Sequence, residues 1–259
     1  MRRITSKMAS NWLEREVPYS ILLPAGYESS DLKYPILYLL HGLFGSHENW
    51  LDLTNIEELS KTLGLIIVMP DGSDGWYCDS EVVSSNRYET FFVDEFLPSI
   101  ERGFRAIQAR EARAIAGLSM GGYGAIKLSL VHPELFVFAA GMSSAIDVPS
   151  RPFSIKRWGQ WRSHRAIFGP WDGEVQHKND PFVLGARTLD PNNVPYLFLT
   201  CGEQEGLLPS NRQFSRLLAA RHFQFEYDFG PGAHDWNQWN GRLAKLFQSL
   251  MEHMEAQDR

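Results

Sequence analysis

The sequence predicts an α/β fold, a three-layer sandwich in which helices cover both faces of a mostly parallel β-sheet. Short, continuous apolar runs recur along the 259 residues and end at turn residues, which indicates strands covered on both faces. Segments with helical apolar spacing lie between these runs. Such alternation is typical of parallel strands joined by right-handed helical crossovers, and we expect a single domain over residues 1–259.

The predicted elements follow in chain order. Residues 12–22 partly alternate between apolar and polar side chains and predict an edge strand, and residues 223–229 predict a second alternating strand. Continuous apolar runs predict five further strands, at residues 35–40, 65–69, 112–116, 136–140 and 195–200. Apolar spacing predicts helices at residues 52–63, 90–103, 121–131, 209–221 and 236–253. In such sheets, functional groups gather at the carboxyl ends of the strands.

About fifty residues, 143–192, separate two predicted strands. A structureless loop of that length is unusual in a compact domain, so we expect a helical cap insertion there. Its aromatic and basic side chains also suit a nucleic-acid or membrane surface, but a lid helix with a solvated basic face is favoured on a chain of net charge −6. These side chains are Trp158, Trp161, Trp171, Arg151, Lys156, Arg157, Arg162 and Arg165.

Composition limits the partners and the compartment. The two cysteines, Cys78 and Cys201, form no CxxC pair, and two free thiols in a reducing compartment are the expectation. The amino-terminal charges precede no apolar stretch, and no apolar run reaches 18 residues, so we expect a cytoplasmic protein without a membrane partner. No metal-ligand, dinucleotide or P-loop motif occurs, so no metal or cofactor and no nucleic-acid partner are expected.

The chemistry-bearing motif is Gly117-Leu118-Ser119-Met120-Gly121, a GxSxG pattern between a predicted strand and a predicted helix. A serine at a sharp strand-to-helix turn has its hydroxyl lifted clear of the sheet, and its neighbours two positions away must be small. Ser119 is therefore the candidate nucleophile. The alternative is a glycine-rich helix start that carries an ordinary surface serine.

A serine hydroxyl needs a base to remove its proton and an acid to orient that base. His234 follows the last predicted strand and suits the base, whereas His41 is expected to pack its turn structurally. Glu203 and Glu205 both follow the strand at residues 195–200, and Glu205 is the preferred acid. Asp235 adjoins His234 in the chain and is not expected to reach its far ring nitrogen. The other histidines are expected to be solvated or structural: His47, His132, His164, His177, His222 and His253.

An oxyanion hole needs two backbone N–H donors that point at the developing negative charge. The amide after the nucleophile, that of Met120, is one candidate. The turn after the strand at residues 35–40 supplies the other, the amide of Leu43.

Four segments now identify a resemblance: PILYLLHGLFGSHENW, GLSMGGYGAIKLSLVHPELF, LTCGEQEGLLPSNRQF and GPGAHDWNQW. Together they resemble the esterase D-like branch of the α/β-hydrolases, which includes tributyrin, feruloyl and acetyl esterases, S-formylglutathione hydrolases and mycolyltransferases. The resemblance implies an α/β-hydrolase fold and a triad of Ser119, Glu205 and His234, with the Leu43 and Met120 amides as the oxyanion hole. That branch usually has aspartate where this chain has Glu205.

The predicted function is hydrolysis of carboxylic esters through an acyl-enzyme, on a small-molecule ester with a short or aromatic acyl group. Phe44, Trp76 and Tyr77 are candidates to line the pocket, although ordinary packing is the favoured role of large aromatic side chains. Two alternatives are a thioesterase that acts on S-formylglutathione and an inactive hydrolase fold used as a binding module. Assembly into a homo-oligomer is left open.

Overall fold

A computed structural model describes residues 1–80, 82–151 and 164–255, and these form an eight-stranded sheet of order β1-β2-β4-β3-β5-β6-β7-β8. Strand β2 pairs antiparallel with both of its neighbours, and all the other pairings are parallel. The mostly parallel sheet predicted from the apolar runs is therefore confirmed. The strands are β1 Arg2–Ser10, β2 Arg15–Leu23, β3 Ile36–Leu40, β4 Ile66–Pro70, β5 Arg113–Leu118, β6 Phe138–Met142, β7 Tyr196–Gly202 and β8 Phe225–Gly230.

Strand β1 was not predicted. It occupies the edge of the sheet, and mostly polar side chains alternate along it, with Ile4 and Met8 packed against the core. The segment predicted at residues 12–22 is β2, and it is the second strand from this edge, so its prediction as an edge strand was wrong. The true edges are β1 and β8.

The helices alternate with the strands as predicted, with two differences. The helix predicted at residues 52–63 is two short helices separated at Thr54, which has extended backbone angles. The segment predicted at 90–103 is helical from Tyr88, and a π-helical stretch at Phe91–Phe96 precedes Pro98, whose missing N–H cannot support regular α-helical bonding. The helices are α1 Asn49–Leu53, α2 Ile56–Ser60, α3 Tyr88–Thr90, α4 Leu97–Gly103, α5 Met120–Val131, α6 described over residues 164–168, α7 Glu174–Asn179, α8 Pro181–Arg187, α9 Leu208–Ala220 and α10 Trp236–Glu255.

The segment predicted as a cap, residues 143–192, contains helices α6, α7 and α8 in its described part. Trp171 is 56% exposed there, in the turn between α6 and α7, and the expected solvated basic face stays a prediction. Trp158, Trp161, Lys156, Arg157 and Arg162 lie outside the described residues. Among the described helices, none combines the length and apolar character that crossing a bilayer requires.

Two apolar clusters lie on opposite faces of the sheet, because alternate residues of each strand point to opposite sides. In β3, Tyr38 belongs to one cluster, whereas Leu37 and Leu39 belong to the other. Helix α5 is buried from Met120 to Leu130, and α10 covers the other face through Leu243 and Leu250. The nucleophile candidate at the start of α5 is therefore anchored in the centre of the molecule.

The buried helix α5 contains one charged side chain, that of Lys127. Lys127 is fully buried, and its ammonium donates hydrogen bonds to a carboxylate oxygen of Glu89 and, over 2.9 Å, to the carbonyl of Tyr77. The second oxygen of Glu89 lies 2.9 Å from His132 Nε2. Although burial opposes the charged form, the Lys127 ammonium and the hydrogen bond with His132 lower the pKa of Glu89 to about 2.

The ion pair of Glu89 with Lys127 predicts that the folded protein loses stability in acid. Glu89 takes up a proton near its ordinary pKa of 4.5 when unfolded but only near 2 when folded. The stabilisation is therefore complete above about pH 4.5 and is lost as the pH falls toward 2. When urea unfolding is measured between pH 6 and pH 2, the free energy of unfolding is expected to change less steeply with pH in Glu89→Gln than in the wild type. Equal slopes in the two proteins would contradict the role of Glu89.

Candidate active site

Ser119 occupies the sharp turn between β5 and α5. Its backbone has φ 53° and ψ −112°, a strained conformation for a residue with a side chain. The Ser119 amide donates to the carbonyl of Met142 over 2.9 Å, which ties the turn to the adjacent strand β6. The hydroxyl is half-buried at the carboxyl end of the sheet, the position that the GxSxG pattern predicts.

The glycines of the motif are explained by close contacts across this turn. A Cβ on Gly117 would lie 2.4 Å from the carbonyl carbon of Gly121. A Cβ on Gly121 would lie 2.5 Å from the carbonyl oxygens of Leu40 and His41. Backbone atoms cannot move aside as a flexible side chain would. Both positions therefore need glycine for the turn to pack on β3.

Three side chains from separate strand ends meet beside this turn. His234 Nε2 lies 3.0 Å from Ser119 Oγ, and His234 Nδ1 lies 2.7 Å from Glu205 Oε2. An ionised carboxylate only accepts hydrogen bonds, so Nδ1 carries the proton and Nε2 of the neutral ring is free to accept the serine proton. The described residues thus bring together the nucleophile, base and acid candidates in the order that the sequence predicts.

Glu205 is deeply buried, with a side chain 0% exposed, whereas the His234 side chain is 40% exposed. Oxygen Oε1 accepts hydrogen bonds from Ser143 Oγ and from the Gly202 amide, each over 2.7 Å. Burial would raise the pKa of Glu205, but the hydrogen bonds from His234, Ser143 and Gly202 lower it below its ordinary value. Glu205 is therefore ionised at neutral pH.

The turn after β3 faces Ser119. A Cβ on Gly42 would lie 3.4 Å from the Ser119 Cβ, so this backbone passes directly beside the serine. Phe44 has a positive φ of 61°, and its amide donates to Asp74 Oδ1 over 2.9 Å. The Met120 amide is in the first turn of α5, where N–H groups have no intrahelical acceptor. The Met120 amide therefore lacks an intrahelical acceptor, as an oxyanion donor requires, and the role of the Leu43 amide stays a prediction.

His41 is structural, as expected from the sequence. It is buried, its Nδ1 lies 2.7 Å from the Gly42 carbonyl, and its Nε2 accepts from the Gly72 amide over 2.8 Å. Burial lowers the pKa of His41 and keeps the ring neutral. The ring therefore connects the turn after β3 to the loop after β4.

The three pocket candidates have different surroundings. Phe44 is 81% exposed in the turn after β3. Trp76 is half-buried and packs edge-to-face against Tyr123 and Phe168. Tyr77 is only 2% exposed, and its hydroxyl donates to the His41 carbonyl over 3.1 Å. This burial assigns Tyr77 to packing behind the turn, which corrects its candidacy as a substrate contact.

Asp235 caps helix α10, because its Oδ1 accepts from the Gln238 amide over 3.0 Å. It therefore has a structural role beside His234. Cys78 and Cys201 are buried free thiols. Within the described residues, no group of three or more His, Cys, Asp or Glu side chains is placed to hold a metal ion.

Sequence reasoning missed three side chains around the site. Asp74 holds the turn of Phe44, and Ser143 holds the acid Glu205. Trp239 donates from its indole Nε1 to Ser143 Oγ over 2.9 Å. One signal was available for Ser143, which directly follows β6, the strand beside the serine turn.

Comparison with known proteins agrees with this geometry. A family model described as "Putative esterase" matches residues 10–250. An acetyl esterase of Caldicellulosiruptor saccharolyticus is 29% identical over 226 residues, which cover 85% of this chain and 84% of the relative. An esterase of Mycobacterium tuberculosis is 40% identical over 240 residues, which cover 83% of this chain. The chain spans about half, 52%, of that mycobacterial protein.

Solved structures share the fold across nearly the whole chain. A ferulic acid esterase superposes with a TM-score of 0.84 at 26% identity, covering 97% of this chain and 98% of that structure. An S-formylglutathione hydrolase of Staphylococcus aureus superposes with a TM-score of 0.83 at 22% identity, covering 96% and 98%. The predicted α/β-hydrolase fold is confirmed by these superpositions and by the sheet topology.

Proposed function

The chain belongs to the Esterase family, and on this premise we propose that it is a serine carboxylesterase that works through an acyl-enzyme. The observation that carries the proposal is the chain of hydrogen bonds from Ser119 Oγ through His234 to Glu205, of 3.0 Å and 2.7 Å. A serine hydroxyl at that distance from an oriented imidazole is the arrangement that acyl transfer requires.

In the proposed reaction, Ser119 Oγ attacks the ester carbonyl carbon while His234 Nε2 takes the hydroxyl proton. The carbonyl oxygen becomes an oxyanion, and the amides of Leu43 and Met120 donate hydrogen bonds to it. His234 then gives its proton to the leaving alcohol as the bond from carbon to the alkoxy oxygen breaks. A water molecule, deprotonated by His234, then attacks the acyl carbon. The bond from that carbon to Ser119 Oγ breaks as His234 returns the proton to Oγ, and the carboxylic acid leaves.

Glu205 stabilises the imidazolium that forms during both steps and keeps the proton on Nδ1. The Ser119 conformation supports its role as nucleophile, because the strained turn presents the hydroxyl at the end of the sheet. These contacts also argue against the alternative of an inactive binding module, which has no need of an aligned Ser–His–Glu chain.

The proposed substrates are small esters with a short acyl or a hydroxycinnamoyl group. The relatives named acetyl esterase and ferulic acid esterase support this range. Phe44 is exposed in the turn after β3, whose Gly42 backbone passes beside the serine, and this supports an apolar contact with such a substrate, since aromatic side chains provide large apolar surfaces. The thioesterase alternative would use the same three side chains.

A substrate panel tests this proposal. We expect the turnover of p-nitrophenyl acetate and p-nitrophenyl butyrate to exceed that of p-nitrophenyl octanoate. A second comparison measures kcat/KM for methyl ferulate and for S-formylglutathione. Greater kcat/KM for the oxygen esters supports the carboxylesterase, whereas greater kcat/KM for the thioester supports the alternative. Turnover of none of these compounds, with no labelling by a fluorophosphonate probe, would contradict both enzymatic functions.

The proposed location is the cytoplasm, and the proposed partner is a small-molecule ester, with no nucleic acid and no membrane; assembly into a homo-oligomer is left open. Support comes from Cys78 and Cys201, which are both buried as free thiols. Such thiols suit a reducing compartment. Fractionation of cells that express the full gene tests this location.

A further inference from the structure

Ser143 is a buried residue that has no role in the proposed reaction as described so far. It directly follows β6, is 0% exposed and has a positive φ of 47°. Its amide donates to the carbonyl of Thr200 on the adjacent strand β7 over 2.6 Å. A strained backbone persists only where the surrounding structure holds it, and here it turns the side chain toward the acid Glu205.

The Ser143 hydroxyl is at the centre of a small buried polar network. Its Oγ lies 2.7 Å from Glu205 Oε1, 2.9 Å from Trp239 Nε1 and 3.3 Å from the side-chain amide of Gln238. Gln238 and Trp239 are 8% and 5% exposed, so solvent has little access to these contacts. Hydrogen bonds are stronger in such surroundings, and an unpaired polar group is costly.

The donors and acceptors of this network fix the direction of its protons. An indole N–H only donates, so Trp239 donates to Ser143 Oγ. With the Gln238 oxygen toward Ser143, Nε2 of Gln238 is buried without a partner among the described residues. The reversed amide directs Nε2 to Ser143 Oγ instead and satisfies that donor. Ser143 then accepts two hydrogen bonds, and its single proton goes to Glu205.

We propose that Ser143, held by Gln238 and Trp239, is a positioning residue that orients the catalytic carboxylate of Glu205 toward His234. This inference rests on the proposed esterase reaction. Glu205 Oε1 is held by Ser143 and by the Gly202 amide, each over 2.7 Å, which leaves Oε2 for His234. The Trp239 ring also packs edge-to-face against the His234 ring, with centroids 5.0 Å apart.

This network explains how a glutamate serves as the acid here. Both carboxylate oxygens are engaged on different sides, and a longer side chain has more freedom that such contacts must remove. A Cβ on Gly202 would lie 2.8 Å from Glu205 Oε1, so glycine at that position leaves room for the carboxylate. Ser143 therefore supplies a contact that prevents the extra methylene from displacing the carboxylate.

Ser143→Ala and Ser144→Ala form a matched pair for the test. Ser144 is the adjacent serine, is also 0% exposed, and its hydroxyl makes no hydrogen bond with the described residues. With p-nitrophenyl acetate, Ser143→Ala is expected to lower kcat by about 10- to 100-fold with little change in KM, as expected for loss of one hydrogen bond to a charged group. Ser144→Ala is expected to keep the wild-type kcat. Equal kcat in the two variants would overturn the proposal.

A double-mutant cycle separates positioning from a general structural effect. If Ser143 acts through Glu205, Ser143→Ala adds no further loss in a Glu205→Gln background. If the fold-losses of kcat caused by Ser143→Ala and by Glu205→Gln multiply in the double variant, the proposal is overturned. Trp239→Phe keeps an aromatic ring but removes the indole N–H together with part of the ring volume, and a smaller loss of kcat in that variant is expected.

A second readout does not depend on turnover. The proton on His234 Nδ1 gives a strongly deshielded NMR resonance when it is hydrogen-bonded to a carboxylate. We expect Ser143→Ala to shift or broaden this resonance, and Ser144→Ala to leave it unchanged. An inactive wild-type protein with this resonance shift in Ser143→Ala would contradict the proposed function and retain the positioning role. An unchanged resonance in Ser143→Ala would overturn that role.

Discussion

Replacing Ser119 with alanine is expected to lower kcat for p-nitrophenyl acetate by about 10⁴-fold or more while the protein stays folded. The hydroxyl is the only group lost, and with it the oxygen that would form the acyl-enzyme. The His234 ring and the Leu43 and Met120 amides remain, so substrate binding and KM are expected to change little. Residual turnover then reports only stabilisation of the oxyanion.

Steady-state kinetics and intact-protein mass spectrometry measure this effect. The wild type is expected to gain the mass of one fluorophosphonate adduct, and Ser119→Ala none. The backbone strain at φ 53° is the same for serine and for alanine. The urea unfolding midpoints of the wild type and Ser119→Ala are therefore expected to agree. Ser144→Ala is the control for an alanine substitution in the same region. Wild-type turnover by Ser119→Ala would exclude Ser119 as the nucleophile.

Replacing Glu89 with alanine is expected to destabilise the protein by about 3–5 kcal/mol. Lys127 is fully buried in the central helix α5, and Glu89 is the carboxylate that neutralises it. Removal of that carboxylate leaves an ammonium group whose remaining acceptor is the Tyr77 carbonyl, at 2.9 Å. An uncompensated buried charge is among the most damaging changes that one substitution makes.

Urea denaturation of three variants isolates this charge effect. Lys127→Met removes the buried charge and leaves Glu89, whose side chain is 20% exposed, beside His132 at 2.9 Å. Lys127→Met is expected to lower the free energy of unfolding by less than Glu89→Ala does. The double variant Glu89→Ala/Lys127→Met is expected to recover most of the stability lost in Glu89→Ala, because no buried charge remains. A cost below about 1 kcal/mol for Glu89→Ala would contradict the importance of the pair.

The central strands were predictable because of where they lie. Strands β3, β4 and β5 are covered on both faces, so every residue except Arg113 at the start of β5 is apolar or small, and the sequence shows a continuous run. Strand β1 has only one covered face at the edge of the sheet, and just two apolar residues on it face the core. Such a strand resembles a polar loop in sequence.

The site was predictable where its chemistry dictates local sequence. The turn at Ser119 needs glycines on both sides, and His234 and Glu205 each follow a strand end. The place of Ser143 directly after β6 was visible in the sequence, but its contact with Trp239 was not, because that contact joins β6 to α10, which are far apart in the chain. The substrate pocket stays a prediction, since residues 152–163 of the cap lie outside the described residues.

The placement of His234 after the edge strand β8 has a consequence for how the protein acquires activity. Ser119 and His234 are separated by 115 positions in the chain, and only docking of β8 on β7 brings their side chains together. A nascent chain that already contains the serine turn therefore has no base beside it. Recovery of turnover during refolding therefore requires the docking of β8 on β7.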